Sequence, residues 1–343
     1  MFSVTNDRGF VPQSEQFEGR DMVGEDIKAY KIIHYDDFAY NPARINVGSI
    51  AMYTGKSPCM ISSLYVCFKT TKEVNNEWLT QLLKTSKMNY YYNVNGEGGV
   101  RVYLFYPNFA RIRMSLPQIE EQKKIATLLN LLDERISTQT KIIEDLKKLK
   151  CAIIEKLYSK IQGKEYSFGQ LFEVVNERNK QMKYSNILSA SQEKGMVNRD
   201  DLNLDIQFER SNINTYKIVR AGDYVIHLRS FQGGFAFSDK LGVCSPAYTI
   251  LRPKEVLEYG YLSYFFMSRQ FIKSLVLVTY GIRDGRSINV EEWLGMKTML
   301  PSKEEQRKIL NVLCCFDEKI QNEENMLNKL SKQKQYLLRQ MFI

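Results

Sequence analysis

Two stretches of this 343-residue sequence are near copies of each other. Residues 116–136 read LPQIEEQKKIATLLNLLDERI, and residues 300–320 read LPSKEEQRKILNVLCCFDEKI, 184 positions further along the chain. Aligned without a gap from Leu116 to Tyr158, the two copies are identical at 14 of 43 positions. Similarity at a fixed offset indicates an internal repeat that organises the whole chain.

The blocks that precede these two segments are related as well. At an offset of 186, matched positions include Ser3 with Ser189, Gly9 with Gly195, Val11 with Val197, residues 30–33 with 216–219, and Asp37 with Asp223. Ser57-Pro58 is aligned with Ser245-Pro246 after a slip of two residues. We therefore interpret the chain as a tandem duplication of block plus helix. Residues 164–187 of the second block have no counterpart, so the first block is expected to be short at its N-terminal side.

The repeated segments predict two long helices. Pro117 and Pro301 suit a first helical turn, and the glutamate pairs that follow suit the positive end of the helix dipole. Apolar residues then recur at alternating spacings of four and three, the pattern of a coiled coil. The predicted interface consists of Leu132, Ile136, Gln139, Ile143, Leu146, Lys150, Ile153 and Leu157 in the first helix and Phe316, Ile320, Glu323, Leu327, Leu330, Lys334, Leu337 and Met341 in the second.

The polar interruptions of the apolar pattern predict the direction of pairing. A parallel pair in register would place Lys150 against Lys334, which is unfavourable. An antiparallel pair places Lys150 against Glu323, and Lys334 against Gln139. The predicted fold is therefore α+β, a pseudo-two-fold tandem repeat in which an antiparallel two-helix coiled coil separates two mixed α/β domains. The predicted segments are domain 1–115, helix 116–160, domain 161–299 and helix 300–343.

Composition narrows the class of protein. No apolar run approaches the roughly 20 residues that cross a bilayer, and the first ten residues do not resemble a secretory signal, so a cytoplasmic protein without a membrane partner is expected. The six cysteines form no CxxC pair, and no metal site is predicted. A net charge of +9 with a pI near 9.0 favours a polyanionic partner such as nucleic acid.

Catalytic motifs are missing from the sequence. Residues 53–57 end like a phosphate-binding loop, but Ile50 stands where that motif requires glycine. His34 and His227 lie within strand-like segments and have no partner cluster. We therefore predict no catalytic residues and no cofactor in this chain.

Glycine-containing turns with basic and polar residues recur at matched positions of both blocks. They span residues 41–49 and 90–101 in the first block and 227–234 and 280–287 in the second. Arginine, asparagine and glutamine match base edges, while serine suits phosphates. The alternative for any one residue is a solvated turn with a structural role. The predicted DNA contacts are Arg44, Asn46, Ser49, Asn93, Arg101, Arg229, Gln232, Arg283, Arg286 and Ser287.

The pattern Leu116-Pro-x-x-Glu120-Glu-Gln-x-Lys124-Ile125, followed by Leu132-Asp133-Glu134-x-Ile136 and given again from Leu300, resembles the conserved helical regions of the specificity subunit of type I DNA restriction-modification systems. Residues 228–234 and 280–288 resemble target-recognition segments of that family. The resemblance covers essentially the whole chain.

This resemblance implies two target-recognition domains, each reading one half of a bipartite site in double-stranded DNA, with the coiled coil setting the spacer. It also implies two docked modification subunits, which carry S-adenosylmethionine and methylate adenine, and restriction subunits that use ATP. The chain itself would be a non-catalytic reader. The alternative is a non-enzymatic coiled-coil scaffold that binds proteins rather than DNA.

Overall fold

The computed structural model describes residues 1–16, 27–98, 102–191, 194–201, 210–227, 233–280 and 287–342. These residues form two compact units. Unit 1 contains Met1–Lys141 and Asn325–Ile343, and unit 2 contains Ile142–Glu324. Each unit thus combines one block with portions of both long helices, whereas the division made from the sequence keeps blocks and helices apart.

Short strands and short helices precede the long helix in unit 1. The strands are β1 (Phe2–Thr5), β2 (Gly9–Pro12), β3 (Lys31–Ile33), β4 (Phe38–Tyr40), β5 (Ile50–Met52), β6 (Cys59–Ile61) and β7 (Val66–Phe68). The helices are α1 (Gln13–Gln16), α2 (Asn76–Leu83), α3 (Ser86–Asn95), α4 (Tyr106–Phe109) and α5 (Ile119–Tyr158), with 3-10 turns at Ile27–Ala29 and Ile45–Val47.

Unit 2 repeats this arrangement with additional strands. The strands are β8 (Lys164–Ser167), β9 (Phe172–Val175), β10 (Leu188–Ser191), β11 (Gly195–Asn198), β12 (Lys217–Val219), β13 (Tyr224–Ile226), β14 (Phe235–Phe237), β15 (Gly242–Cys244), β16 (Thr249–Pro253), β17 (Thr279–Tyr280), β18 (Ser287–Ile288) and β19 (Lys297–Leu300). The helices are α6 (Phe168–Leu171), α7 (Tyr261–Phe265), α8 (Arg269–Ser274), α9 (Val290–Gly295) and α10 (Lys303–Met341), with 3-10 turns at Arg199–Asp201, Arg210–Thr215 and Leu275–Val278.

Small sheets pack against helices in both units. Unit 1 has a sheet in the order β2-β1-β6-β3 and a second in the order β5-β4-β7. Unit 2 has a sheet in the order β14-β13-β16-β9 and the pairs β10-β11, β12-β15, β17-β18 and β19-β8. Aromatic rings fill both cores: Trp78 lies 5.6 Å from Phe342 in unit 1, and Phe168 stacks on Trp293 at 4.4 Å in unit 2, between ring centroids. Burying rings of this size contributes much of the apolar stabilisation.

Equivalent hairpins open both blocks and confirm the duplication. Ser3 pairs with Val11 in β1 and β2, and Ser189 pairs with Val197 in β10 and β11, at the predicted offset of 186. Gly9 and Gly195 close the two hairpins with φ of 66° and 69°. This left-handed conformation costs glycine little and other residues more.

One part of the predicted alignment between the blocks is wrong. Strand β6 pairs with β3 as β15 pairs with β12, so β6 corresponds to β15 at an offset of 183. Ser57-Pro58 precedes β6, whereas Ser245-Pro246 follows β15. The chain between β12 and β15 is three residues shorter than the chain between β3 and β6. The pairing of the strands, and not the local similarity of the two Ser-Pro pairs, therefore determines which segments correspond.

Residues 164–175 supply three elements of unit 2. Strand β8 pairs with β19, α6 adds Phe168 to the core, and β9 pairs with β16 at the sheet edge. Strand β7, the counterpart of β16, pairs only with β4 among the residues that the structure describes. Among the described residues, the sheet of unit 1 that contains β4 has three strands and the sheet of unit 2 that contains β13 has four.

The long helices α5 and α10 have 40 and 39 residues and begin two residues after Pro117 and Pro301. Every residue of the predicted interface is buried or half-buried. In unit 1, the end of α10 packs beside the start of α5, since Phe342 joins the core cluster of Ala126 and Leu129. In unit 2, Leu313, near the start of α10, joins the cluster of Ile154, near the end of α5. The helices are therefore antiparallel, as predicted.

Candidate nucleic-acid interface

The loop that links β4 to β5 in unit 1 is tightly bonded to itself. The Asn41 N–H donates to the Ser49 carbonyl at 3.0 Å, and the Ser49 N–H donates to the Arg44 carbonyl at 3.0 Å. Gly48, with φ of 94°, ends the 3-10 turn by donating its N–H to the Ile45 carbonyl at 2.9 Å. These bonds hold the exposed Arg44 on a defined backbone.

Two amide side chains meet beside this loop. Asn46 Nδ2 donates to Asn93 Oδ1 at 3.2 Å, although the residues are 47 positions apart. Asn93 lies in α3, where its Nδ2 also donates to the Asn89 carbonyl at 2.8 Å. We call Arg44, Asn46 and Asn93 the loop cluster. Its guanidinium and amides are the groups that can read guanine and adenine edges.

The structure corrects the prediction for Ser49. This residue is only 4% exposed, and its Oγ donates to the Val4 carbonyl at 2.7 Å. It directly precedes the buried strand β5 and faces the same interior. Its hydroxyl therefore fixes the loop on β1 and is not presented to a ligand.

The other predicted DNA contacts have different outcomes. Arg101, Arg229, Gln232, Arg283 and Arg286 lie outside the described residues. Ser287 is exposed at the start of β18 and pairs with Tyr280 across the β17-β18 hairpin. Tyr280, itself 56% exposed, donates its hydroxyl to Glu292 Oε2 at 2.8 Å. Ser287 therefore keeps a surface position beside an oriented aromatic ring.

Matched buried aspartates brace the turns that lead into β4 and β13. Asp37 Oδ2 accepts the His34 N–H at 3.0 Å, and Asp223 Oδ2 accepts the Arg220 N–H at 2.9 Å. Each aspartate also pairs with a cation from a neighbouring strand segment, Lys69 in unit 1 and Arg252 in unit 2.

The cation in unit 2 is bound more closely. Arg252 contacts both carboxylate oxygens of Asp223 at 3.0 and 3.1 Å, and this bond raises the pKa of the guanidinium. Arg252 thus stabilises the turn that precedes β13.

A buried glutamine of the repeated motif attaches each block to its following helix. In unit 1, Gln122 is 0% exposed and its Oε1 accepts the Asn75 N–H at 2.8 Å. Its Nε2 donates to the carbonyls of Glu73 at 2.9 Å and Pro117 at 2.8 Å. One side chain thereby joins the start of α5 to the segment that precedes α2.

Gln306 makes the same three bonds in unit 2. Its Oε1 accepts the Glu258 N–H at 2.8 Å, and its Nε2 donates to the carbonyls of Val256 at 3.2 Å and Pro301 at 3.0 Å. Glu258 is also held by Arg307 at 2.8 Å, which lowers the pKa of the glutamate. We call Gln122 and Gln306 the glutamine clamps.

A second attachment joins each block to both helices through an aspartate. In unit 1, Asp133 accepts from Gln81 Nε2 at 2.9 Å and from Lys334 Nζ at 2.5 Å. In unit 2, Asp317 accepts from the Tyr264 hydroxyl at 2.6 Å and pairs with Lys150. Lys150 Nζ also lies 4.9 Å from the centroid of the Tyr264 ring, a cation–π contact. We call Asp133 and Asp317 the aspartate junctions.

These junctions correct the predicted partners of the interface lysines. The sequence pattern assigns Glu323 to Lys150 and Gln139 to Lys334. In the structure the lysines reach Asp317 and Asp133 instead, and Glu323 accepts from Lys319 on its own helix at 2.5 Å. The two aspartates flank the apolar interface and are 46% and 41% exposed. A carboxylate that stays hydrated there avoids most of the desolvation cost of a buried ion pair.

Sequence reasoning missed the clamps and the junctions, although a signal for them exists. Gln122 and Asp133 are identical in the second copy of the repeat, at positions that a coiled-coil interface does not require to be polar. Identity between copies at such positions indicates a structural contact outside the interface. Gln81 and Tyr264 can both donate a hydrogen bond, but they are different amino acids. Sequence identity between the two copies therefore does not indicate their role.

Replacing Tyr264 with phenylalanine is expected to change the alkaline limit of stability. Burial, and then the bond to Asp317, raise the pKa of Tyr264 well above its usual value of 10. Because the folded state holds the neutral phenol, this stabilisation is complete below about pH 10 and is lost as the pH rises toward the folded-state pKa. Urea unfolding between about pH 9 and 11 should therefore show a smaller alkaline loss for Tyr264→Phe than for the wild type. Equal losses would contradict the hydrogen bond between Tyr264 and Asp317.

Among the residues that the structure describes, no group of three or more His, Cys, Asp or Glu side chains is placed to hold a metal ion. No helix among them combines the length and the apolar character needed to span a bilayer.

Comparison with known proteins places this architecture in a family. The model of the Type I restriction modification DNA specificity domain matches residues 27–148 and 162–332. The putative type I restriction enzyme MjaX specificity subunit of Methanocaldococcus jannaschii is 23% identical over 93% of this chain and 80% of its own length. The MjaVIII specificity subunit of the same organism is 28% identical over 67% of this chain and 61% of its own length.

Solved structures share the fold. The S subunit of a type I restriction-modification system from M. genitalium matches with a TM-score of 0.52 and 14% identity, over 91% of this chain and 84% of its own. A chain from a structural study of complex assembly and conformational transition in the type I R-M system matches with a TM-score of 0.60 and 15% identity, over 91% and 83%. Because the family model covers both repeats, the chain belongs to the family of type I restriction modification DNA specificity domains and is a specificity subunit that recognises DNA sequence.

Proposed function

We propose that each unit reads one half of a bipartite site in double-stranded DNA, and that the helix pair sets the spacer and carries two modification subunits. The observation that carries this proposal is that the same glutamine clamp and the same aspartate junction attach two different blocks to the two copies of one helix. A common attachment with different loops suits two independent readings of one DNA molecule.

The loops are the parts that differ between the units. The loop of residues 41–49 contains Arg44 and Asn46, whereas the equivalent residues 227–234 have a different sequence. Arginine can form paired bonds to guanine, and asparagine can form them to adenine. We propose that the loop cluster reads one half-site and that the second block, with Ser287 at its surface, reads the other. The excess of basic residues supplies attraction to phosphates.

The outer faces of the helices suit a protein partner. Leu128 on α5 is 44% exposed, and its repeat equivalent Val312 on α10 is 45% exposed. Ile142 and its equivalent Met326 are 40% and 46% exposed. Large apolar side chains exposed at the same positions of both copies favour two copies of one partner. We assign this role to modification subunits.

In this proposal the chemistry belongs to the partners. S-adenosylmethionine is bound by the modification subunits, ATP is used by restriction subunits, and this chain binds neither and catalyses no reaction. Its contribution is to select the DNA sequence and to hold the modification subunits over that sequence.

Substitution of Arg44 by alanine is expected to weaken binding to the cognate DNA by about 1–3 kcal/mol if the guanidinium contacts a base. The measurement is a binding titration at fixed salt, with cognate and scrambled duplexes. Arg135→Ala, which removes one exposed cation from α5, is the matched control. If Arg44→Ala and Arg135→Ala changed the affinity for the cognate duplex equally, Arg44 would not be a base-contacting residue.

The whole proposal is tested by producing the chain with its cognate modification subunit and mapping methylated adenines. Two fixed half-sites separated by a spacer of constant length are expected. Exchange of residues 41–49 for the loop of a relative should change one half-site only. A single continuous site, or methylation that persists unchanged without this chain, would contradict the proposal.

A further inference from the structure

A cavity in unit 1 is lined by basic side chains. It has a volume of about 630 Å³, and its charged lining residues are Lys84, Lys87 and Arg339. None of the three forms an ion pair with another residue that the structure describes. We call this space the basic cavity.

Unit 2 shows what occupies the equivalent position there. Thr85 caps α3, and its N–H donates to the Leu82 carbonyl at 3.0 Å; Ser268 caps α8 and donates to the Phe265 carbonyl at 2.9 Å. The next residue in unit 2 is Arg269. Its N–H donates to Glu155 Oε1 at 2.5 Å, so a carboxylate from α5 fills this position.

The repeat inverts the charge of that helix residue. At the offset of 184 residues, the equivalent of Glu155 is Arg339. Unit 1 therefore has a cation where unit 2 has an anion, and the N–H of Ser86, which corresponds to that of Arg269, has no acceptor among the described residues. Burial and then the nearby Lys334 lower the pKa of Lys84, and the nearby Asp133 opposes that shift.

We propose that the basic cavity receives a carboxylate side chain of the bound modification subunit, in the position that Glu155 occupies in unit 2. This inference rests on the proposed function, which supplies that partner. A carboxylate there would meet the Ser86 N–H and three cations that form no ion pair with the described residues, and charge-assisted hydrogen bonds of this kind are strong.

Two observations favour a protein carboxylate over a DNA phosphate. Leu338 and Phe342 give the cavity an apolar wall, which suits the methylene groups of an acidic side chain. The cavity also lies at the first residues of α3, whereas Asn93 of the loop cluster lies near its last residues. A helix of 10 residues separates these ends by about 15 Å.

The test introduces the carboxylate of unit 2 into unit 1. Arg339→Glu should weaken binding of the full chain to its modification subunit roughly tenfold, because the new side chain fills the cavity and repels the incoming carboxylate. Lys332→Glu is the matched control, since it makes the same charge change at an exposed position of the same helix. Binding of the control should fall much less.

A second measurement is independent of the partner and uses sodium acetate as the probe. At equal ionic strength, acetate should raise the thermal midpoint of the wild-type chain above its value in chloride. Arg339→Glu should abolish that difference, while Lys332→Glu should preserve it. Absence of an acetate effect in the wild type would overturn the assignment of the basic cavity as a carboxylate site.

The possible outcomes separate this inference from the proposed function. If the wild type binds the modification subunit and Arg339→Glu binds it equally well, the cavity assignment fails and the proposed function stands. If Arg339→Glu leaves subunit binding intact but weakens DNA binding more than Lys332→Glu does, the cavity is a phosphate site and the inference is overturned. If the wild type binds no modification subunit, both proposals fail.

Discussion

Replacing Gln122 with leucine is expected to lower the free energy of unfolding of unit 1 by about 3–5 kcal/mol. The side chain is 0% exposed and makes three hydrogen bonds. Leucine would leave the Asn75 N–H and the carbonyls of Glu73 and Pro117 without this partner in a part-buried environment. Each unpaired buried group costs about 1–3 kcal/mol, partly offset by the burial of a more apolar side chain.

The measurement is denaturant unfolding followed by far-UV circular dichroism. Gln333→Leu, at an exposed position of α10 that also belongs to unit 1, is the matched control and should change stability by less than about 0.5 kcal/mol. Gln122→Glu should also destabilise strongly, since a carboxylate cannot donate to the two carbonyls. If Gln122→Leu matched the Gln333→Leu control, the glutamine clamp would be of no energetic importance.

Reversal of either charge in the ion pair of Lys150 and Asp317 is expected to cost about 1–3 kcal/mol. Lys150→Asp would place two carboxylates together beside the Tyr264 ring, and Asp317→Lys would place two ammonium groups there. The cost stays below that of a fully buried pair because Asp317 is 46% exposed. The double exchange should recover at least half of the loss, because it restores opposite charges.

A double-mutant cycle measured by equilibrium unfolding isolates this coupling. Glu323→Lys combined with Lys150→Asp serves as the comparison, because the sequence pattern predicts that pair. If Glu323→Lys recovered the stability lost in Lys150→Asp and Asp317→Lys did not, Glu323 would be the partner of Lys150, as the sequence pattern predicts. Rescue by neither would show that the interface tolerates these charges without a fixed partner.

The sequence was sufficient for the features that repeat locally. Helix periodicity predicted α5 and α10, because that signal lies within a few turns of one helix. The incompatibility of Lys150 with Lys334 in a parallel pair predicted the antiparallel direction, because these two residues occupy the same position of the repeat. Matched Ser, Gly and Val residues predicted that the two blocks are related, and the hairpins β1-β2 and β10-β11 lie at those matched positions. These agreements reflect interactions between residues that are close in sequence or repeated at one offset.

Contacts between distant segments could not be predicted in this way. Ser49 faces inward because its loop bonds to β1, 45 residues away. Lys150 and Lys334 pair with aspartates beside the interface because those carboxylates remain partly hydrated. The alignment offset between the blocks changes from 186 to 183 because of how the strands pair. The local similarity of Ser57-Pro58 to Ser245-Pro246 indicated a different offset. Asn46 and Asn93 were each predicted as DNA contacts, but their direct hydrogen bond depends on the packing of α3 against the loop.

The aspartate junctions suggest how freely one block could be exchanged for another. Gln81 and Tyr264 have different shapes and come from different helices, yet each meets its aspartate with one hydrogen-bond donor. The hydrogen bonds of the glutamine clamps go only to backbone atoms, so these bonds impose no side-chain identity on the block. A foreign block therefore needs only two features to fit these helices: one suitably placed hydrogen-bond donor and one backbone segment of the right shape. Neither feature restricts the sequence of the loops that we propose to contact DNA.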